Sequence, residues 1–239
     1  MPNETSQDRI VRRKLSDEVF DRLRQMILSG EIRPDDPMPS ERALMDRFGV
    51  GRPAVREALQ TMHTMGLITV SHGQSSRVNP LDASLAMQQA DAIAQLLLSA
   101  VPENLDHLKS ARLLFEVGMV RQAAERRTDP DIARLRDLHA AQVAQLGDPG
   151  AFVAADIALH RAIAGIAGNP IISAVSDAML HWLFRYHTAQ LIRSGQEDVT
   201  LTEHAQIIGA IAQGNGDEAA RLMRVHLERS ADQIRHAPR

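Results

Sequence analysis

The feature that most constrains the fold is the helical periodicity of the chain after Pro80. From there to the C-terminus the sequence shows amphipathic stretches with no strand pattern, and proline or glycine residues separate them. These stretches predict helices near 82–100, 103–128, 130–146, 149–167, 171–194, 198–213 and 217–235. The pattern therefore predicts an all-α C-terminal bundle of six to seven antiparallel helices.

The region before Pro80 has a different pattern, in which three short helices precede a β-ribbon. Ser16 and Ser40 are predicted as N-caps of the first two helices, and Pro53 is predicted to open the third. Two short strands near 67–70 and 77–79 flank a glycine-containing turn. This order predicts an N-terminal winged helix-turn-helix of the α+β class.

These two patterns predict the domain organisation. Residues 1–80 form the winged helix-turn-helix domain, 81–87 a linker, and 88–239 the all-helical domain. The chain has no cysteine, which excludes disulfides and thiolate metal sites. No apolar run reaches the length of a membrane span and the N-terminus lacks a signal-peptide core, so a cytoplasmic protein without membrane partners is expected.

Net charge alone does not decide whether the chain binds nucleic acid. Residues 1–80 carry 12 basic and 11 acidic side chains (net +1), and residues 81–239 carry 15 and 19 (net −4). Because phosphate contacts supply most of the affinity for DNA, any DNA binding must depend on where the arginines lie.

The third predicted helix is the natural recognition element because it follows the turn. Arg52 and Arg56 lie one turn apart on it, and arginine can fork two hydrogen bonds to guanine or bind phosphate. Arg42 and the helix N-terminus at Ser40 are placed to contact backbone phosphates. Two arginines alone are more often a solvated helix face, but the full order of elements favours DNA contact.

The predicted wing carries His72 and Gly73 at its tip. Glycine removes steric bulk, which suits the close approach that a minor groove demands. Both residues are therefore candidate DNA contacts.

Four ionisable residues of the helical half lie on apolar helix faces. Asp156 and His160 are one turn apart on one face, and His204 and His226 lie on later apolar stripes. Burying such groups is costly unless they are paired or bound to metal. A hydrogen-bonded core histidine is the ordinary interpretation of any one of them.

The spacing of the two later histidines favours a shared site. His204 and His226 are each 11 residues from Asn215, the midpoint of a Gly-Asn-Gly turn. If the two helices fold back antiparallel, both histidines lie level, about 16 Å from the turn. With Asp156 and His160 they would offer one carboxylate and three imidazoles, a set that suits Zn²⁺, or less specifically Ni²⁺ or Mn²⁺, with coordination positions left open.

Arg112 is the single charged residue on an otherwise apolar face that includes Leu108 and Phe115. One interpretation is an intrahelical pair with Glu116, four residues later. The other is a receptor for an effector carboxylate that also contacts the metal. The sequence leaves both open.

The runs Pro39–Leu44 and Phe48–Leu59, with Gly66-Leu67-Ile68 and His72-Gly73, resemble the GntR superfamily of bacterial regulators. Many relatives have Thr or Ser where this chain has Pro53 or Ala54, so hydroxyl contacts to DNA are missing there, and Ala54 is itself implied as a DNA contact. The resemblance implies operator binding by Arg42, Arg52, Arg56, His72 and Gly73.

The helical half resembles the FCD domain of the FadR-type group within that superfamily. By that resemblance an Asp-x-x-x-His pair and two later histidines bind metal, which matches Asp156, His160, His204 and His226. The resemblance also implies that Arg112 contacts a carboxylate effector, such as sialic acid, another sugar acid or another organic acid.

Together these features predict a homodimeric repressor, not an enzyme, whose operator binding is relieved by that effector. A metal-dependent hydrolase and a ligand-independent DNA-binding protein are the alternatives. The sequence contains no His-Glu-x-x-His helix and no carboxylate placed as an obvious general base.

Overall fold

The computed structural model describes residues 13–70, 75–101, 103–191 and 196–236, with side-chain surroundings left out at 186–191 and 232–236. The chain divides into two compact units, Met1–Leu85 and Ala86–Arg239. We refer to them as the N-terminal unit and the helical unit. Among the described helices, none combines the length and the apolar character needed to cross a bilayer.

The N-terminal unit is a winged helix-turn-helix, as predicted. Its elements are α1 (Leu15–Leu28), α2 (Glu41–Phe48), α3 (Arg52–Thr64), β1 (Ile68–Thr69) and β2 (Arg77–Val78). The two strands are antiparallel, with Ile68 opposite Val78 and Thr69 opposite Arg77. Apolar side chains of all five elements form one core, including Val19, Leu23, Leu44, Val55, Met62, Ile68 and Val78.

The turn between α2 and α3 follows from local chemistry. Ser40 caps α2 by accepting a hydrogen bond of 3.2 Å from the Ala43 amide, as predicted. Gly49 ends α2 at φ +64°, a left-handed conformation that glycine adopts without steric cost. This turn sets the start of α3 at Arg52.

The predicted N-cap of α1 is wrong by two residues. Lys14 is the N-cap, and it makes no side-chain capping bond. Ser16 is only 5% exposed and lies inside the helix, and its Oγ has no hydrogen-bond partner among the described residues. The helix begins earlier because Ser16 lies on the same buried face as Val19 and Leu23.

The described residues of the C-terminal part form helices and no strand, as predicted. The described residues form α4 (Ala83–Ala100), α5 (Glu103–Arg126), α6 (Asp129–Val143), α7 (Pro149–Ile166), α8 (Pro170–Leu191), α9 (Glu197–Ala212) and α10 (Gly216–His236). Most of the stretch predicted as a linker, 81–87, is the first turn of α4. The Asp82 carboxylate accepts a hydrogen bond of 2.9 Å from the Leu85 amide there.

Helix α5 is the centre of the helical unit. It packs against α7, α8, α9 and α10, and α6 packs against α7 and α9. The core that these helices share is aliphatic and includes Val120, Leu135, Leu159, Ile163, Ile207, Ile211 and Met223. This packing brings residues far apart in sequence to one level of the bundle.

Helix α4 lies more loosely on the bundle, since none of its residues is buried. It is joined to α8 by a hydrogen bond of 2.9 Å from Trp182 Nε1 to Asp91 Oδ1. Trp182 is the single tryptophan of the chain. Leu98 of α4 packs in the same small apolar group as Trp182 and Leu183.

Candidate functional sites

Three histidines from three helices converge in the core of the helical unit. His160 of α7, His204 of α9 and His226 of α10 are 1%, 1% and 3% exposed. One ring nitrogen of each lies within 4.8 Å of the others, and the Nε2 atoms of His204 and His226 are 3.3 Å apart. The structure thus brings together the two histidines that flank the Gly-Asn-Gly turn.

Asp156 lies beside this histidine cluster. Its Oδ1 is 3.5 Å from His204 Nε2 and its Oδ2 is 3.9 Å from His160 Nε2. All four residues predicted as metal ligands therefore lie at one place, with Asp156 one turn before His160 on α7.

Each histidine of the cluster has a hydrogen-bond acceptor on its outer nitrogen. Glu116 Oε2 accepts from His160 Nδ1, Gln142 Oε1 from His204 Nδ1 at 2.8 Å, and Glu203 Oε2 from His226 Nδ1 at 2.7 Å. An ionised carboxylate can only accept a hydrogen bond, so His160 and His226 carry their protons on Nδ1.

The orientation of Gln142 assigns the proton of the third ring. Its Nε2 donates to Asp156 Oδ1 at 3.2 Å, which leaves Oε1 as the acceptor that faces His204. The Nδ1 atom of each ring is therefore held by an acceptor, which leaves its Nε2 atom as the one that a cation could bind.

The charge state of the cluster follows from its burial. Burial lowers the pKa of His204 well below its usual value, and the neighbouring His226 and His160 lower it further. Burial also lowers the pKa of His226, although its hydrogen bond to Glu203 opposes that shift. Both rings are therefore neutral near pH 7, and neutral imidazole is the form that binds metals.

Two carboxylates beside the cluster stay ionised despite their surroundings. Burial raises the pKa of Glu116, but the Arg112 guanidinium and His160 outweigh burial and bring it to about 2. Burial acts in the same direction on Glu203, and hydrogen bonds from His226 and Arg229 bring its pKa to about 2. Both are therefore permanent acceptors for the histidine protons.

Arg112 lies next to the histidine cluster and is 5% exposed. It forms the intrahelical ion pair with Glu116, the simpler of the two interpretations of its position. Its Nη2 is also 3.5 Å from His160 Nε2, and its guanidinium lies 5.8 Å from the centre of the Phe184 ring. A ligand that reached the cluster would therefore meet a guanidinium.

Sequence reasoning missed the outer acceptors. It assigned Glu116 only a pair on its own helix, and it did not single out Gln142 or Glu203. Gln142 did carry a signal, because it continues the buried stripe of Ile132 and Leu135 on α6 and is 0% exposed. For Glu203 we find no sequence signal.

The chemistry of these side chains fits a divalent metal. Three imidazoles and a carboxylate match the ligand types and number of a zinc site, and imidazole also suits nickel. The three outer acceptors fix ring orientation in the way that metal-bound histidines usually require.

The candidate DNA contacts occupy the exposed side of the N-terminal unit. Arg42, Arg52 and Arg56 are exposed, Ala54 is half-buried, and Ser40 is exposed at the start of α2. His72 and Gly73 lie outside the described residues.

One acidic residue in this region was not anticipated. Glu41, the first residue of α2, contacts both Arg52 and Arg56 of α3. Its Oε2 accepts from Arg52 Nε at 2.8 Å, and its Oε1 is 3.4 Å from Arg56 Nε.

Comparison with known families identifies the class of protein to which this fold belongs. Residues 15–78 match the bacterial regulatory proteins of the gntR family, and residues 107–229 match the FCD domain. The chain belongs to the GntR family and carries an FCD domain.

Its relatives include proteins named HTH-type transcriptional repressor NanR. The one from Cronobacter sakazakii is 37% identical over 222 residues, covering 91% of this chain and 84% of the relative. The one from Edwardsiella tarda is 37% identical with the same coverage. The family and these relatives are transcription regulators and not enzymes, which sets aside the metal-dependent hydrolase.

Solved structures support the same fold. A GntR protein from Streptococcus agalactiae superposes with a TM-score of 0.69 at 22% identity, covering 91% of this chain and 99% of that one. McbR/YncC from E. coli gives 0.51 at 16% identity, covering 94% and 98%. At these identities the likeness concerns the fold alone.

Proposed function

We propose that this protein is a homodimeric transcriptional repressor whose operator binding is relieved by a small carboxylate bound beside a divalent metal. The observation that carries the metal part is the convergence of three histidine Nε2 atoms whose Nδ1 atoms are all held by acceptors. The repressor assignment is supported by the relatives named NanR. As a bacterial operator-binding protein it would act in the cytoplasm.

Asp156, His160, His204 and His226 would hold the metal, most simply Zn²⁺, with Ni²⁺ or Mn²⁺ as further candidates. When bound, the metal supplies concentrated positive charge that can bind an anionic ligand. Glu116, Gln142 and Glu203 would keep the three imidazoles oriented, because each accepts the Nδ1 proton of one ring.

Arg112 would bind the effector carboxylate. Its Nη2 is already within 3.5 Å of His160 Nε2, so an acid that reached the metal would lie within range of the guanidinium. Arginine binds carboxylates through paired hydrogen bonds, which gives orientation as well as attraction. A sugar acid such as sialic acid, or another organic acid, fits this requirement.

On the DNA side, Arg52 and Arg56 would contact bases or phosphates, with Arg42 and the α2 N-terminus at Ser40 on phosphate. Ala54 and the wing residues His72 and Gly73 complete the proposed contacts. A single small module binds modestly, so two subunits reading two half-sites would supply the affinity.

Relief of repression requires that the effector bind the two conformations unequally. One conformation of the dimer binds DNA and the other does not. An effector that binds the second conformation more tightly lowers operator affinity, and the ratio of its affinities for the two conformations sets how far. Helix α4 provides a covalent path for this coupling, because it starts five residues after β2 and its Asp91 bonds to Trp182 of α8.

The metal part is tested by thermal unfolding of the full chain with added Zn²⁺. A ligand at one hundred times its dissociation constant stabilises by about 2.7 kcal/mol, so the unfolding temperature should rise by several degrees. The variant with both His204→Ala and His226→Ala should lose this rise. His181→Ala, at an exposed histidine outside the cluster, should keep it.

The effector part is tested by operator release in fluorescence anisotropy. Sugar acids, hydroxy acids and amino acids are added with and without a chelator. We expect one of these classes to release DNA from the wild-type protein, and the variant with both Asp156→Ala and His160→Ala to respond weakly. If that variant released DNA as the wild type does, metal-mediated control would be wrong.

A further inference from the structure

An acidic side chain lies within the surface of the N-terminal unit that is proposed above to contact DNA, and the inference rests on that proposed function. Glu41 is the first residue of α2, directly after the N-cap Ser40. A carboxylate there disfavours the binding of a polyanion, since it adds negative charge next to arginines expected to face phosphate. We therefore expect Glu41 to have a role that outweighs this loss of affinity for DNA.

The helix dipole explains only part of this placement. An acid in the first turn of a helix is stabilised by the positive end of the dipole. The dipole does not account for the contacts that the carboxylate makes, because its two oxygens go to arginines of a different helix. Oε2 accepts from Arg52 at 2.8 Å and Oε1 is 3.4 Å from Arg56.

Both contacts use the Nε atoms of the arginines. The terminal amino groups, which form the fork to guanine O6 and N7, take no part in these two contacts. Each arginine can therefore keep its contact with Glu41 while its terminal amino groups donate hydrogen bonds to a base. The side chains of both are 68% exposed, so without Glu41 they would sample many rotamers.

We propose that Glu41 is a specificity-determining residue that positions Arg52 and Arg56 for base reading and penalises non-specific DNA. On a matched site, ordered arginines bind with a smaller loss of rotamer freedom. On unmatched DNA the arginines gain only phosphate contacts, and the adjacent carboxylate reduces that gain. Specificity then depends on the repulsion between Glu41 and phosphate as well as on the attraction between the arginines and DNA.

The other described ion pairs of this unit do not share this geometry. Asp21 pairs with Arg13 at 2.8 Å, Glu31 pairs with Arg47 at 2.6 Å and Glu57 approaches Lys14 at 3.5 Å, each a single acid with a single base. Glu31 is therefore a matched control, because its neutralisation changes net charge and releases an arginine of α2 but not of α3.

The test compares two DNA probes on the full-length protein. One is a duplex selected from a random pool by the wild-type protein, and the other is an unselected duplex of equal length. Dissociation constants are measured over a range of salt for wild type, Glu41→Gln and Glu31→Gln. Unfolding temperatures are recorded for each variant to confirm that the fold is kept.

For Glu41→Gln we expect tighter binding of the unselected duplex, with a salt slope steeper by about one, and a specificity ratio lower by about fivefold or more. Glu31→Gln should leave the ratio unchanged. In a background that also has Arg52→Ala and Arg56→Ala, Glu41→Gln should no longer affect the ratio, because the residues it positions are gone.

Two results would overturn the proposal. If Glu41→Gln changed both probes by the same factor, Glu41 would contribute only net charge. If the ratio fell equally in the background lacking both arginines, Glu41 would act through some other contact.

Discussion

The charged residues of the two candidate sites lie in opposite environments. In the N-terminal unit Arg52 and Arg56 stand on the surface, with side chains 68% exposed. In the helical unit Arg112, Glu116 and His160 are 5% exposed or less and bond to one another. A residue of a surface site can be substituted without a change in the stability of the fold. A substitution in a buried network is expected to alter both ligand binding and the free energy of unfolding.

The largest effect should come from breaking the buried network. Glu116→Gln leaves the Arg112 guanidinium buried without a counter-charge, and we expect a loss of about 3 kcal/mol or more in the free energy of unfolding. Urea denaturation measures it. Glu218→Gln, which affects an exposed pair with Arg221, should leave unfolding unchanged. If both variants lost the same free energy of unfolding, the proposed difference between buried and exposed charges would be wrong.

The outer acceptors give a second test. Gln142→Leu removes the acceptor of His204 Nδ1 and the donor to Asp156, so we expect zinc affinity to fall about tenfold to one-hundredfold. Competition with a chromophoric chelator measures the affinity. Gln206→Leu, at an exposed position of the helix that carries His204, serves as the control. If the zinc affinity of Gln142→Leu equalled that of the wild type, Gln142 would have no role in metal binding.

On the surface side, Arg52→Ala should weaken operator binding by about tenfold or more while the unfolding temperature stays the same. Arg47→Ala, at another exposed arginine of the same unit, should have a smaller effect on the operator. Anisotropy titrations together with thermal melts distinguish the outcomes. A large fall in unfolding temperature for Arg52→Ala would show that the surface site is also structural.

The smallest effect concerns a surface group of the helical unit. Thr128 and Asp131 form a capping box at the start of α6, and Thr128→Ala should cost about 1 kcal/mol. Hydrogen bonds from Thr128 lower the pKa of Asp131, so this stability is present above the usual Asp pKa and is lost as pH falls through the folded value. The gap between variant and wild type should therefore narrow in acid urea melts.

Much of the fold could be predicted because local chemistry determines it. Proline and glycine residues predicted the helix bounds to within a few residues: α7 begins at Pro149, and α9 ends at Ala212, just before Gly214. The meeting of His204 and His226 could also be anticipated, since a tight turn between antiparallel helices brings equidistant residues level. Ser16 was misjudged because its burial depends on the packed core and not on its neighbours in sequence.

The rest of the candidate site depends on tertiary register. Glu116 reaches His160 across 44 residues of sequence, and Gln142 reaches His204 across 62. No local sequence pattern determines the axial position at which α5 packs against α7, or α6 against α9. The pairing of Glu41 with two arginines is likewise set by the angle at which α2 meets α3.

The hydrogen bond between Trp182 and Asp91 gives the protein an optical reporter. Because the chain has one tryptophan, its emission has a single indole source, and that indole joins α4 to α8. Phe184, two residues further along α8, lies beside the Arg112 guanidinium. A change at the buried cluster that shifts α8 would therefore alter the emission wavelength, so effector binding could be followed in unlabelled protein and compared directly with operator release.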